Sequence, residues 1–207
     1  MELTFWGVRG SIPVPGPDTV EFGGDTMCLD ISDGESESDG RHYRAVLDAG
    51  TGITNLGRNL LAGPAGKGAG EIHIFLTHTH WDHIQGFPYF IPGFIPGNRV
   101  VFWGRPVSER SVRELLEGQM KAEYNPIYAL DNMGSTIEVN EMGSDPVTFG
   151  TFTMETIILP HKGSSSLGFK ISDNSKSVAF LGDVDYGDTG LTDEIVAFAD
   201  GADVLIH

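Results

Sequence analysis

An apolar run, Ile72-His73-Ile74-Phe75-Leu76, passes directly into Thr77-His78-Thr79-His80-Trp81-Asp82-His83. The run has the length and composition of a buried strand ending at Thr77. Four candidate metal ligands therefore stand at the C-terminal end of a strand, which narrows the folds open to the chain. Neutral imidazoles and a carboxylate suit Zn²⁺ and related borderline metals. His78 and His80, two apart on extended backbone, point to the same side, and Asp82 and His83 can reach a second ion beside the first. Three of the seven histidines fall within this stretch, with an aspartate among them, a density that an ordinary polar loop does not require.

The 207 residues are enough for one sizeable domain, read as spanning 1–207. With 40% apolar and 20% charged residues the composition is globular. The 29 acidic residues against 13 basic ones leave a formal charge of -16, which repels long polyanions. Arg99, Arg105, Arg110, Arg113 and Lys121 lie in one segment, but Glu109, Glu114 and Glu117 are interleaved with them. The charge argues against long nucleic acid and leaves room for a small or short phosphodiester. Cys28 is the only cysteine, so no intramolecular disulfide can form. The N-terminal residues lack the basic start and apolar stretch of a signal peptide, and no membrane span is visible. The expected location is cytoplasmic.

In chain order, strands are expected at Leu3–Val8, Gly23–Ile31 and Tyr43–Leu47, with a proline-rich loop after the first and a polar hairpin loop over 32–42. His42 reads as a surface residue. Asp48 enters a glycine-flanked turn before a helix from about Ile53 to Ala62. Further on, the pattern predicts a strand over Arg99–Trp103 and a helix over Ser108–Glu117 with Ser108 as its cap. Residues 118–134 read as an excursion near the site. Strands then follow at Thr136–Asn140, Val147–Leu159, Leu167–Ser172 and Ser177–Leu181, a helix at Thr192–Ala199, and a final run to His207.

His-x-His-x-Asp-His after a strand resembles the signature of the metallo-β-lactamase fold hydrolases. Trp6-Gly7-Val8-Arg9-Gly10-Ser11 and Asp48-Ala49-Gly50-Thr51-Gly52 look most like its phosphodiesterase branch, which includes tRNA 3′-processing nucleases and cyclic-phosphodiester hydrolases. The resemblance covers nearly the whole chain. It implies an α/β fold, a four-layer αββα sandwich with a one- or two-metal site along one edge of the sheets. It also implies that His78, His80 and His161 hold one ion, that Asp82 and His83 hold the other, and that Asp183 bridges them. Asp185 competes for the bridging role, and Asp183 is preferred because it directly follows an apolar strand. Asp48 would orient a ligand histidine, or else cap a helix. Arg9 and Ser11 face substrate or stabilise their turn. Asp25 stands where relatives often carry Asn.

The same resemblance places the last histidine of the second ion beyond His207, so the C-terminal end reads as incomplete. Truncation, a ligand supplied by a partner chain through segment exchange, or a weak second site would each account for it. His207 aligns with a catalytic histidine near the leaving group. The expected activity is hydrolysis of a phosphodiester by a hydroxide held between two zinc ions, manganese or iron being alternatives, with Asp82 or Asp183 accepting a proton. Hydrolysis of a carboxylic ester, lactone, thioester or β-lactam is the rival chemistry. A non-catalytic metal-binding or interaction protein is the rival class. Di-iron relatives carry a glutamate at the position of His80, which argues against that branch.

Overall fold

The apolar strands of the sequence are sorted into two sheets in a computed structural model that describes residues 1–33, 42–127, 129–187 and 190–207. By its contacts the chain divides into two compact units, Glu2–Glu141 and Met142–His207, with Met1 grouped with the second.

The first unit carries a six-stranded sheet in the order β1 (Glu2–Gly7), β2 (Cys28–Ser32), β3 (His42–Leu47), β4 (Gly70–Phe75), β5 (Arg99–Gly104) and β6 (Thr136–Glu141). β1, β2 and β3 are antiparallel neighbours, whereas β3 to β6 run parallel. Parallel strands are joined by crossovers and covered on both faces, so they read as continuous apolar runs. That is why Ala45-Val46-Leu47 and Val100-Val101-Phe102 are wholly buried without alternation. On one face Val46, Ile72, Ile74, Val100 and Phe102 pack with Ile53, Leu56 and Leu60 of α1 (Gly52–Leu60) and with Phe87 and Phe90. Phe87 meets Phe102 edge-on at a centroid distance of 4.5 Å. Each such fully buried side chain contributes about 1.5–3 kcal/mol. A single turn, α2 (Trp81–Ile84), comes after β4, and α3 (Val112–Gln119) after β5.

The cap of α3 is Ser111, not Ser108. Ser111 Oγ accepts from the Glu114 amide while the Glu114 carboxylate accepts from the Ser111 amide, the reciprocal pattern of a capping box. Ser108 and Glu109 instead hold left-handed backbone, φ 49° and 66°, in the turn closed between Val107 and Arg110.

In the second unit β7 (Val147–Phe149), β8 (Phe152–His161), β9 (Ser164–Ser172), β10 (Ser177–Phe180) and β11 (Val204–Ile206) form a sheet in the order β11-β10-β9-β8-β7. The strand expected over Val147–Leu159 is two strands, because Gly150, at φ 52°, turns the chain back on itself. β8 alternates: Leu159 and His161 are buried while Ile158 is exposed. A two-residue turn at Lys162-Gly163, both with positive φ as tight hairpins require, leads into β9. α4 (Asp193–Ala199), capped by Thr192, places Ile195 against Ile157, Leu159 and Leu181. Most of the polar loop expected over 32–42 lies outside the described residues, and His42 begins β3.

Candidate metal centre

β3 and β4 are parallel and in register, Leu47 opposite Phe75, so the segments leaving the two strands emerge at the same sheet edge. This edge, at the carboxyl ends of parallel strands, is where α/β folds present ligand groups. Asp48 emerges from β3, and Thr77 and the histidines from β4. The Asp48 carboxylate is fully buried. Its Oδ1 accepts from the Thr77 amide at 2.8 Å, and its Oδ2 from the Thr77 hydroxyl at 2.9 Å and from His83 Nδ1 at 2.7 Å. With its hydrogen committed to Asp48, the Thr77 hydroxyl accepts from His78 Nδ1 at 3.0 Å. One buried anion thus orients two imidazoles through their Nδ1 atoms and turns both Nε2 atoms toward the other donors. Asp48 does not cap α1, whose N-cap is Thr51.

His78 lies at the centre of the imidazole group, its ring centroid 4.4 Å from that of His80 and 4.2 Å from that of His83. His78 Nε2 and His80 Nδ1 are 2.9 Å apart. That is hydrogen-bond distance, with one ring nitrogen donating and the other accepting. Asp82 Oδ2 is 3.5 Å from His83 Nε2 and accepts from the Ser11 amide at 2.7 Å. His83 beside it, partly opposed by burial, and the Ser11 amide hold this carboxyl well below the usual carboxylate range. The donor set fits a divalent ion: imidazoles oriented by buried hydrogen bonds beside a carboxylate that stays charged.

Close backbone approaches hold these elements in place. The Ala49 amide donates to the His83 carbonyl at 2.7 Å and the Gly86 amide to the Ala49 carbonyl at 3.0 Å. A β-carbon on Gly50 would lie 2.3 Å from the Asp82 carbonyl, and one on Gly86 2.0 Å from the Gly50 carbonyl. Asp25 accepts from the Thr51 hydroxyl and from Asn55 Nδ2, both at 2.8 Å, so a two-acceptor side chain suits this position.

In the second unit His161 closes β8, 5% exposed, with its Nε2 3.8 Å from Asp183 Oδ2. Asp183 has φ 51° and Asp48 φ 64°. Left-handed backbone costs a non-glycine residue about 1–3 kcal/mol and clusters at functional sites. Asp185, the competitor, uses its carboxylate to accept from the Gly187 amide at 3.0 Å. β10 and β11 are parallel neighbours, so His207 emerges beside Leu181, whose carbonyl lies 3.2 Å from His207 Nδ1. The Tyr186 hydroxyl lies 3.3 Å from His207 Nε2.

The sequence model of the beta-lactamase superfamily domain matches residues 43–207. The chain belongs to this superfamily of metal-dependent hydrolases. An uncharacterized protein of Mycobacterium tuberculosis, Rv1339, is 30% identical over 172 residues, which are 78% of this chain and 55% of the relative. The chain thus spans about half the length of the curated relatives it matches. Among solved structures, human tRNase Z, short form, is 18% identical with a TM-score of 0.63, the match covering 100% of this chain and 77% of that one. A diphosphatase of the PhnP family is 18% identical with a TM-score of 0.62, covering 98% and 72%. Zn²⁺-bound PqqB from Methylobacterium extorquens is 16% identical with a TM-score of 0.63, covering 99% and 71%. These likenesses are of fold: mixed α/β, with two sheets and few helices. No helix among the described residues is long and apolar enough to cross a membrane.

Proposed function

We propose that this superfamily member is a metal-dependent phosphodiesterase. The observation that carries the reading is the imidazole group after β4, in which Asp48 orients His78 through Thr77 and His83 directly, each by its Nδ1. His78, His80 and His161 are the proposed ligands of one ion, Asp82 and His83 those of a second, and Asp183 the bridge. Zinc is the proposed ion, since imidazole and carboxylate suit it, and PqqB of the same fold binds it. Such ions supply Lewis acidity and a water-derived nucleophile at neutral pH.

The chain's own residues have separate tasks. Asp82, anchored by the Ser11 amide, acts as a fixed anion. Asp183, exposed at its left-handed turn, accepts the proton of the attacking water. His207, steadied by Leu181 and Tyr186, serves the leaving oxygen. Phosphorus chemistry is supported by the Trp6–Ser11 motif and by the names of two fold neighbours, tRNase Z and a diphosphatase. The charge of -16 favours a short substrate over long nucleic acid, and the lone cysteine accords with a cytoplasmic location.

The test is turnover of methyl p-nitrophenyl phosphate with and without a chelator. Wild type should be chelator-sensitive, and His80→Ala should lose at least about a hundredfold in kcat/KM. Equal turnover in the variant, or a preference for carboxylic esters and lactones in the same panel, overturns the reading.

A further inference from the structure

Next to the donors, and within the same unit, is a groove of about 770 Å³. It begins at Thr79 and Trp81, the residues interleaved with His78, His80 and Asp82. Its other end is formed by α3 and the segment after it, which Gln119 ties to α2 by donating from Nε2 to the Ile84 carbonyl at 2.9 Å. Three aromatic side chains on its wall are open to solvent: Trp81 is 73% exposed, Tyr89 50% and Tyr124 78%. Large aromatic rings gathered in a concave site and left uncovered mark a ligand surface more than a packing defect.

The charge of the groove is opposite to that of the chain. Acidic residues outnumber basic ones 29 to 13 in the sequence, yet among the described residues the groove is lined by Arg110 and Lys121 and by no carboxylate. Neither cation is within ion-pair distance of a carboxylate among the described residues; the Arg110 guanidinium donates to the Glu114 carbonyl, at 3.1 Å. The remaining polar groups on the wall include the amides of Gln85 and Gln119, able to donate and accept. Aromatic faces with two cations and neutral amides fit a ligand part that is flat, aromatic and anionic.

We infer that this groove is the subsite for the nucleotide side of the substrate, with Trp81 and Tyr124 stacking on the base and Arg110 and Lys121 pairing with a second phosphate. The inference rests on the phosphodiesterase reading and adds to it a substrate class and a set of specificity-determining residues. Trp81 is the pivot, because it is the one aromatic residue flanked on both sides by proposed metal ligands.

Three phosphodiesters with the same p-nitrophenolate leaving group test it: the methyl ester, the thymidine 5′ ester, and the thymidine 5′ ester carrying a 3′-phosphate. In wild type kcat/KM should rise along the series, by about tenfold or more for the base. Trp81→Ala should collapse the thymidine-to-methyl ratio towards one, and Lys121→Gln should collapse the ratio gained from the 3′-phosphate. A flat series in wild type, or ratios that both variants leave intact, overturns the subsite. Calorimetric binding of thymidine 3′,5′-bisphosphate separates this from the parent reading. Binding that Trp81→Ala weakens tenfold, in a protein that cleaves none of the three esters, upholds the groove while the phosphodiesterase reading falls. Absence of binding together with absence of turnover overturns both.

Discussion

Asp30 is a carboxyl group on the all-buried strand β2, and it titrates where few aspartates do. Burial pushes it up to about 6, and the Arg44 guanidinium bonded to Oδ2 pulls it only part of the way back. Trp6 Nε1 is near enough to favour the charged form but falls short of hydrogen-bond geometry, so Oδ1 is buried without a partner. The folded value lies above the unfolded one of about 3.9, and that order sets the sign. Between those values the native state holds the extra proton, so this group's stabilisation is complete below about pH 4 and is lost as pH rises through about 6. The loss is about 2–3 kcal/mol. The stability of Asp30→Asn, measured by urea unfolding, should therefore gain on that of wild type by about this amount between pH 4 and pH 7. A difference between the two proteins that does not vary with pH would contradict the assignment.

At the scale of elements, the Asp48–Gly52 turn and α2 are held at a separation that only glycine permits. Gly50→Ala places a methyl group against the Asp82 carbonyl, the Thr26 hydroxyl and the Met27 carbonyl, and should cost about 1–3 kcal/mol. It should also weaken metal uptake, because α2 carries Asp82 and His83. Gly16→Ala, where nothing lies within 4 Å of the added carbon and the backbone is extended, is the control and should change neither denaturant midpoint nor metal content. Which parts of this arrangement the sequence discloses depends on the range of the interactions. His78, His80, Asp82 and His83 are legible as candidate donors because one strand end carries all four, whereas His161 enters through the family resemblance, at the end of an apolar strand. The role of Thr77 in linking Asp48 to His78, and the close packing of Gly50 and Gly86, depend on contacts some thirty residues apart that no local pattern encodes. The groove is obscured for another reason. Arg110, Glu114, Glu117 and Lys121 look like a neutral mixture in line, whereas in the fold the groove takes the two cations and excludes the two acids. The cap at Ser111 is present as Ser-x-x-Glu and is masked by a serine three residues earlier.

At the scale of the whole molecule, the single thiol records opening of the fold. Cys28 is fully enclosed in the core of the larger unit, and burial, followed by the charges of Asp30, Asp48 and Asp25, raises its pKa well above the ordinary thiol value. A disulfide reagent can therefore reach a thiolate only when β2 is uncovered. Domains of ordinary stability should label at least about a thousandfold more slowly folded than unfolded. Labelling in water at a rate within tenfold of that in denaturant would contradict the enclosure of Cys28. Because the sequence offers no second cysteine to blur the signal, the labelling rate becomes an internal clock. It times how often the strand that borders the Asp48 turn comes loose, and a metal bound behind that turn should slow the clock.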